Sequence, residues 1–403
     1  MIKNVFICLS YFVLFFLVII VISRLFFPSL LNEKNFVVFD PANYWIIKTQ
    51  GYSGVQVAFF PLFPLIWKWT FLNAYWISVF NLLIYLAGIL LLIREYRFSG
   101  SEILLYLSIP SAIVYYLPFS ESLFFICSTL MIIGVRRNNY FLVYPFLFLS
   151  VLSRPAFALL LAGLVATELL DLPLKKSSFY RMGAYLLVTL MGILTVAAIQ
   201  YADTGEWFRF FSAQGHWGNA LQWPKLPLTS WGGNTITKLD GVALLAGVLT
   251  SILLIKMIVG KFSDKTNSFP RDLIFSLSYL SFISISVLAF RGGSLFSLNR
   301  FVFAVPYIIV AFHYYLSSGY IFRWKHWVVT FVCLLGFWLF FNSFCHIQVF
   351  LKYTLLSVFL TFILLMKSQV KWSRILSWSL IILGNFIFQI ILFIRFLSCL
   401  WVA

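Results

Sequence analysis

Apolar runs separated by short polar breaks recur along the whole chain. A membrane-crossing helix needs about 20 mostly apolar residues. The pattern predicts about thirteen such helices, at 5–27, 74–93, 102–118, 121–135, 139–153, 155–170, 183–201, 239–258, 272–290, 301–317, 327–343, 347–366 and 375–397. The pieces between 102 and 170 are short and read as kinked or incomplete crossings. Two stretches interrupt the rhythm, about 28–73 and 202–238, and both are polar and aromatic together. No tandem repeat, low-complexity tract or soluble domain appears, so residues 1–403 read as one all-α, polytopic integral membrane unit. The run Val5–Phe27 is too long for a signal-peptide core and no small-residue cleavage site follows it, so it reads as a retained first span.

Composition strengthens this reading. Of the 403 residues, 62% are hydrophobic and 10% charged, against about 25% charged in a soluble domain; mean hydropathy is +0.97. The net charge of +17 does not point to nucleic acid, because the bases sit in short pieces between apolar runs, where anionic headgroups account for them. Their distribution orients the chain. Lys3, Arg94, Arg97, Arg136, Arg137, Lys175, Lys176, Arg181, Lys256, Lys261, Lys265, Arg271, Arg323, Lys325, Lys367, Lys371 and Arg374, 17 of the 29 bases, fall on one set of loops. The positive-inside rule makes that side cytoplasmic, with the N-terminus inside, and places both long loops outside. In a bacterium the membrane would be the inner, plasma membrane. The five cysteines are scattered, without metal-ligand spacing.

Five polar features then fall on the outer side. Asp40 precedes Pro41 in a stretch where 42–50 predicts a short interfacial helix, and it reads either as that helix's cap or as a catalytic carboxylate. The run Phe59-Phe60-Pro61-Leu62-Phe63-Pro64 reads as an irregular, helix-breaking entry into the next span. Glu121, after Ser120, is an ionisable residue at the end of two apolar runs; helix capping and function compete. Arg154, in Ser153-Arg154-Pro155, could snorkel, pair with an acid or hold an anion. The second long loop carries Asp203, Glu206, Gln214, His216 and Trp217, the character of a sugar-facing surface or of an amphipathic interfacial helix. The last feature is Arg291-Gly292-Gly293 followed by Ser297-Leu298-Asn299-Arg300-Phe301, in which Arg300 opens a span, as an interfacial anchor or as a fork for phosphate oxygens.

Taken together and in order, these pieces resemble the GT-C glycosyltransferases, and within them the family of the second mannosyltransferase of GPI-anchor assembly (the PIG-V family) with its bacterial relatives. The residues that carry the resemblance are Phe39-Asp40, Gly51-Tyr52, Ala58-Phe59-Phe60-Pro61-Leu62-Phe63-Pro64, Tyr116 with Glu121-Ser122-Leu123-Phe124, Ser153-Arg154-Pro155, Thr204-Gly205-Glu206, Ala213-Gln214, Trp217-Gly218, Asn299-Arg300-Phe301 and Pro306. They span about 39–306; residues 307–403 carry no matching motif, and Phe39 stands where the family carries Trp. The resemblance implies transfer of a sugar, mannose by analogy, from a polyprenyl- or dolichyl-phosphate-linked donor to a lipid-linked or extracytoplasmic acceptor. It implies Asp40 as the base. The donor phosphate is expected at Arg300 and Arg154, and the acceptor at Tyr44, Glu121, Glu206, Gln214, His216 and Trp217. No cofactor and no obligatory metal is expected, the acids being sparse. The competing expectation is a transporter or flippase of lipid-linked sugars, whose polar residues would line a path open to both faces rather than a one-sided cavity.

Overall fold

The computed structural model describes residues 2–171, 174–230, 233–263, 269–318 and 363–402, with scattered positions in 319–362; at 216–217, 233–238 and 262 only the backbone is described. Among the described residues all regular structure is helical. Six helices are long and apolar enough to cross a membrane: α1 (Ile2–Phe26), α4 (Ala74–Tyr96), α9 (Lys176–Thr204), α11 (Gly233–Ser263, apolar from Leu239 to Lys261), α12 (Arg271–Arg291) and α15 (Lys371–Leu397). The chain is therefore an integral membrane protein. At 1.5 Å per residue the 25 residues of α1 reach about 37 Å, enough for a hydrocarbon core of about 30 Å.

The short pieces explain why the described spans are fewer than the apolar runs. The helices α7 (Tyr140–Ser153) and α8 (Phe157–Leu170) have 14 residues each, about 21 Å, too short to cross upright. The run 102–118 divides into α5 (Gly100–Leu107) and a 3₁₀ segment, Pro110–Tyr116, which meets α6 (Glu121–Arg137) at 105°; counted as one broken span, this pair makes seven. The run 301–317 divides into α13 (Leu298–Phe303) and α14 (Pro306–Ser317). Expected spans 327–343 and 347–366 lie largely outside the described residues.

Broken backbone in an apolar setting needs partners for its polar groups. Asn81, fully buried on α4, supplies them at the α6 break: its Nδ2 donates to the carbonyls of Leu117 (2.7 Å) and Phe119 (2.8 Å). The first long connection folds into α2 (Asp40–Gln50), the 3₁₀ segment Gly54–Ala58 and α3 (Leu62–Thr70). The prolines expected to break this run instead begin α3: Pro61 is its N-cap and Pro64 lies in its first turn, where a missing N–H costs no helical bond. The end of α9 clamps this connection from outside. Asp203 accepts from the Tyr52 N–H at 2.8 Å, and Gln200 Nε2 donates to the Val57 carbonyl at 2.8 Å. Gly51 at φ +83° lets the approach happen, since a Cβ there would lie 2.8 Å from Asp203 Oδ2.

Alternating helix directions gather the starts of α4, α6, α8, α11 and α14 and the ends of α1, α7, α9, α12 and α15 at one end of the bundle. The opposite end collects a second set of ionisable residues. Glu168 meets Arg181 Nη2 (2.6 Å), Arg271 and the Tyr185 hydroxyl (2.9 Å), while Asp272 meets Arg136 Nη1 (3.1 Å) and the Tyr96 hydroxyl (2.7 Å). Helix α12 is the most enclosed of the six, with 56% of its apolar window buried against 28% for α1 and α9. Gly247 on α11 permits the α11–α12 contact, because a Cβ there would fall 1.8 Å from Ser284 Oγ.

Helix α15 is fastened by Gln389, which accepts from the Tyr11 hydroxyl (2.6 Å) and donates to the carbonyls of Leu107 and Ile109 (3.0 Å each). Four segments thus meet at one buried amide. Gln389→Leu should destabilise the protein by about 1–3 kcal/mol, since it leaves buried oxygens unpaired, and should lower the midpoint of thermal unfolding in detergent. An unchanged midpoint would show that α15 is held by its apolar packing alone.

Candidate functional site

The gathered end of the bundle encloses a cavity of about 260 Å³ whose lining includes Asp40, Tyr44, Ser120, Glu121, Arg154, Gln214, Asn219, Arg291, Arg300 and Trp401. Four of these form one electrostatic unit. Arg300 Nη1 donates to Asp40 Oδ2 at 2.6 Å, and Arg300 Nε lies 3.0 Å from Glu121 Oε1 in an ion pair too bent for a hydrogen bond. Glu121 Oε1 is also 3.3 Å from Arg154 Nη1. Two bases and two acids, each less than a tenth exposed, thereby neutralise one another in a setting that tolerates no isolated charge.

Each member is delivered by a local irregularity. Asp40 is the first residue of α2, and the N-cap is Phe39, which makes no side-chain capping bond. The cap reading of Asp40 is thus corrected: its carboxylate turns away from the helix's own N–H groups, towards Arg300. Phe39 adopts φ 58°, ψ −127°, a conformation that strains a residue with a Cβ, and its ring is wedged against Phe396 (5.9 Å between centroids) and Trp401 (5.0 Å). Glu121 opens α6 after the 105° break, and its carboxylate likewise makes ion pairs instead of a cap. Ser120 at that N-cap caps nothing and accepts from the Tyr44 hydroxyl at 2.9 Å. Arg154 is the extended residue that ends α7, with its guanidinium over the rings of Phe124 (5.6 Å) and Phe301 (4.9 Å).

Arg300 sits on the short α13, whose register is fixed by Asp240. That carboxylate accepts from the Asn299 N–H (2.8 Å), from Asn299 Nδ2 (2.7 Å) and from the Ser230 hydroxyl (2.7 Å), while Asn299 Oδ1 accepts from Ser111 (2.9 Å). The rings of Phe119, Phe301 and Trp401 surround the Arg300 guanidinium at 5.5–5.9 Å. Burial works to lower the Arg300 pKa, but Glu121 and Asp40 outweigh it and hold it above the ordinary arginine value. Burial, reinforced by Glu121 and Asp40, pushes the Tyr44 hydroxyl above its ordinary value, so it stays protonated as a donor.

The cavity brings together Asp40, Tyr44, Glu121, Arg154, Gln214 and Arg300 out of the residues singled out in the sequence. Glu206 is not among them. It is exposed, pairs with Arg209 at 3.3 Å, and lines a separate hollow with Gly54, Val57 and Arg209. The side chains of His216 and Trp217 lie outside the described residues. Two cavity or support residues escaped sequence reasoning. Asp240 carried a signal, as an acid at the end of an apolar span, and Trp401 belongs to a segment without a matching motif. Arg291 stood in the last outer feature of the sequence, where the anion-binding reading fell on Arg300 instead. Among the described residues, no three His, Cys, Asp or Glu side chains come together where they could hold a metal ion.

The fold and cavity define an all-helical integral membrane protein with a paired-charge cavity at one end of its bundle. Comparison of the chain with family models, curated proteins and solved structures gives no match.

Arg300→Ala should destabilise the fold by about 3–5 kcal/mol, the typical consequence of breaking a buried pair. Adding Asp40→Asn should recover most of the lost thermal midpoint, because it removes the carboxylate left unpaired, while Glu121 keeps its pairing with Arg154. Equal midpoints for the Arg300→Ala and wild-type proteins would mean that the quartet is not structural.

Proposed function

We propose that the protein is a membrane glycosyltransferase of the GT-C type, akin to the PIG-V family. It would move a sugar, mannose by analogy, from a polyprenyl- or dolichyl-phosphate-linked donor to a lipid-linked or extracytoplasmic acceptor. The observation that carries this reading is the position of Asp40. Its Oδ2 is bonded to Arg300, while Oδ1 accepts from no described residue and belongs to a carboxylate lining the cavity. Glu121 is a weaker candidate for the base: it is 1% exposed against 9% for Asp40, and its Oε2 is buried without a partner.

The reaction is a single displacement. Asp40 takes the proton of the acceptor hydroxyl as its oxygen bonds to the anomeric carbon, and the bond from that carbon to the phosphate oxygen breaks with the electron pair leaving on the phosphate. Configuration is inverted. The leaving phosphate is already a weak base, so no general acid is needed, and nearby guanidinium groups stabilise the charge it gains. Glu121 positions Arg154 and Arg300 in this scheme, and the Tyr44 hydroxyl is a donor available to a substrate oxygen. The excess of bases at the opposite end of the bundle supports an outward-facing cavity. A transporter of lipid-linked sugars is the second reading, favoured by the broken helix at 110–137, since discontinuous helices often build transport sites. Convergence of the cavity's ionisable residues at one end of the bundle favours the transferase.

Asp40→Asn leaves Arg300 paired with Glu121, so it should lower the thermal midpoint without unfolding the protein in the membrane, and should lower turnover by about 10²–10⁴-fold, with little change in donor KM. The assay is mass spectrometry of product from purified protein, membrane lipid extract and a panel of polyprenyl-phosphate sugars. Near-wild-type turnover of Asp40→Asn would remove the base assignment. Movement of the labelled donor across sealed proteoliposomes without product would replace transfer with transport.

A further inference from the structure

Five charged side chains line the cavity, and they do not balance. Arg154, Arg291 and Arg300 face Asp40 and Glu121, leaving one positive charge in excess. The excess resides on Arg291. Arg154 and Arg300 each have a carboxylate oxygen within 3.3 Å, whereas among the described residues no carboxylate forms an ion pair with Arg291. Its polar partners are neutral: Nε donates to Asn219 Oδ1 at 3.0 Å and Nη1 to the carbonyl of Phe296. Asp240, the acid behind this wall, acts on Arg291 only through space, and its oxygens take hydrogen bonds from Asn299 and Ser230. A guanidinium cannot shed its proton at ordinary pH, so Arg291 stays cationic, with N–H groups that no carboxylate holds and that an anion from outside can take.

The backbone around Arg291 is built to hold it still. Residues 220–229 run beside 289–295, with the N–H groups of Ala220, Lys225 and Thr229 bonding to the carbonyls of Phe290 (2.9 Å), Gly292 (3.1 Å) and Gly293 (3.0 Å). Gly293, at φ +97°, admits this strap: a Cβ there would lie 2.4 Å from the Lys225 carbonyl oxygen. Arg291 itself lines the cavity and is half-buried, more exposed than Arg154 or Arg300. An anion entering the cavity can take the remaining N–H groups of Arg291 without displacing a carboxylate, whereas at Arg154 or Arg300 it would have to compete with one.

We infer that Arg291 is the anion anchor of the cavity and binds the phosphate group of a phosphate-bearing lipid, while Arg300 and Arg154 hold the carboxylates in place. The lipid part of this inference rests on the transferase reading; the anion site does not. The test is the affinity of purified, detergent-solubilised protein for undecaprenyl phosphate, undecaprenol and inorganic phosphate. Wild type should bind undecaprenyl phosphate more tightly than undecaprenol. Arg291→Gln should weaken the phosphate lipid about 10–100-fold, the loss of one charge-assisted bond of about 1.5–3 kcal/mol, and leave undecaprenol unchanged, which also reports that the fold is intact. Should Arg291→Gln lose undecaprenol as well, Arg291→Lys, which keeps the charge, decides: it must retain a preference for the phosphate lipid.

Competition by inorganic phosphate that disappears in Arg291→Gln would assign the site to the phosphate group alone; no competition would assign it to phosphate presented on a lipid. The inference is overturned if wild type does not distinguish phosphate from alcohol, if Arg291→Lys loses the distinction, or if Arg154→Gln abolishes it and Arg291→Gln does not. Phosphate-lipid binding through Arg291 without sugar transfer would leave the anchor standing and remove the transferase. Transfer indifferent to Arg291→Gln would do the reverse.

Discussion

Arg300 binds two carboxylates from separate parts of the chain, and the cavity is organised around it. Asp40 comes from the first long connection, Glu121 from the broken α6 and Arg300 from the short α13. Each of these segments departs from a straight membrane helix, and each departure is stabilised by buried hydrogen bonds: Asn81 at the α6 break, Gln200 and Asp203 along the first connection, and Asp240 at α13. Low dielectric makes the arrangement nearly all-or-none. Unpaired charges would be severely destabilising there, while the paired set is neutral. The same constraint leaves Arg291 conspicuous, as the lining arginine that forms no ion pair with an acid among the described residues.

Much of the fold was legible because apolar run length and charge placement are themselves physical constraints. Runs such as 5–27, 272–290 and 375–397 correspond to α1, α12 and α15 within a few residues at each end. The runs between 102 and 170 were legible only as ambiguous. Hydropathy reports that a segment avoids water and does not say whether it does so in lipid or against protein. The buried 3₁₀ segment Pro110–Tyr116 and the short α7 and α8 are therefore indistinguishable from spans by composition.

The site was legible as a set of ionisable residues at helix ends, and Asp40, Glu121, Arg154 and Arg300 do meet. Their partners were not legible. Sequence spacing cannot show that a carboxylate before Pro41 reaches an arginine 260 positions away, and capping, the local alternative, has the same sequence signature. Asp240 was hidden by the apolar run it belongs to, and Arg291 was overshadowed by Arg300 in the same polar stretch. Glu206 illustrates the converse: an acid in a promising polar context that lies in an exposed turn.

Helix α15 carries the chain back to the cavity, where Trp401 stacks on Phe296 at 4.9 Å and packs edge-on against Phe39. Whatever fills the cavity there touches side chains from the first long connection and from behind α15 at once. Its binding would tie α15 to the rest of the bundle and stabilise both together.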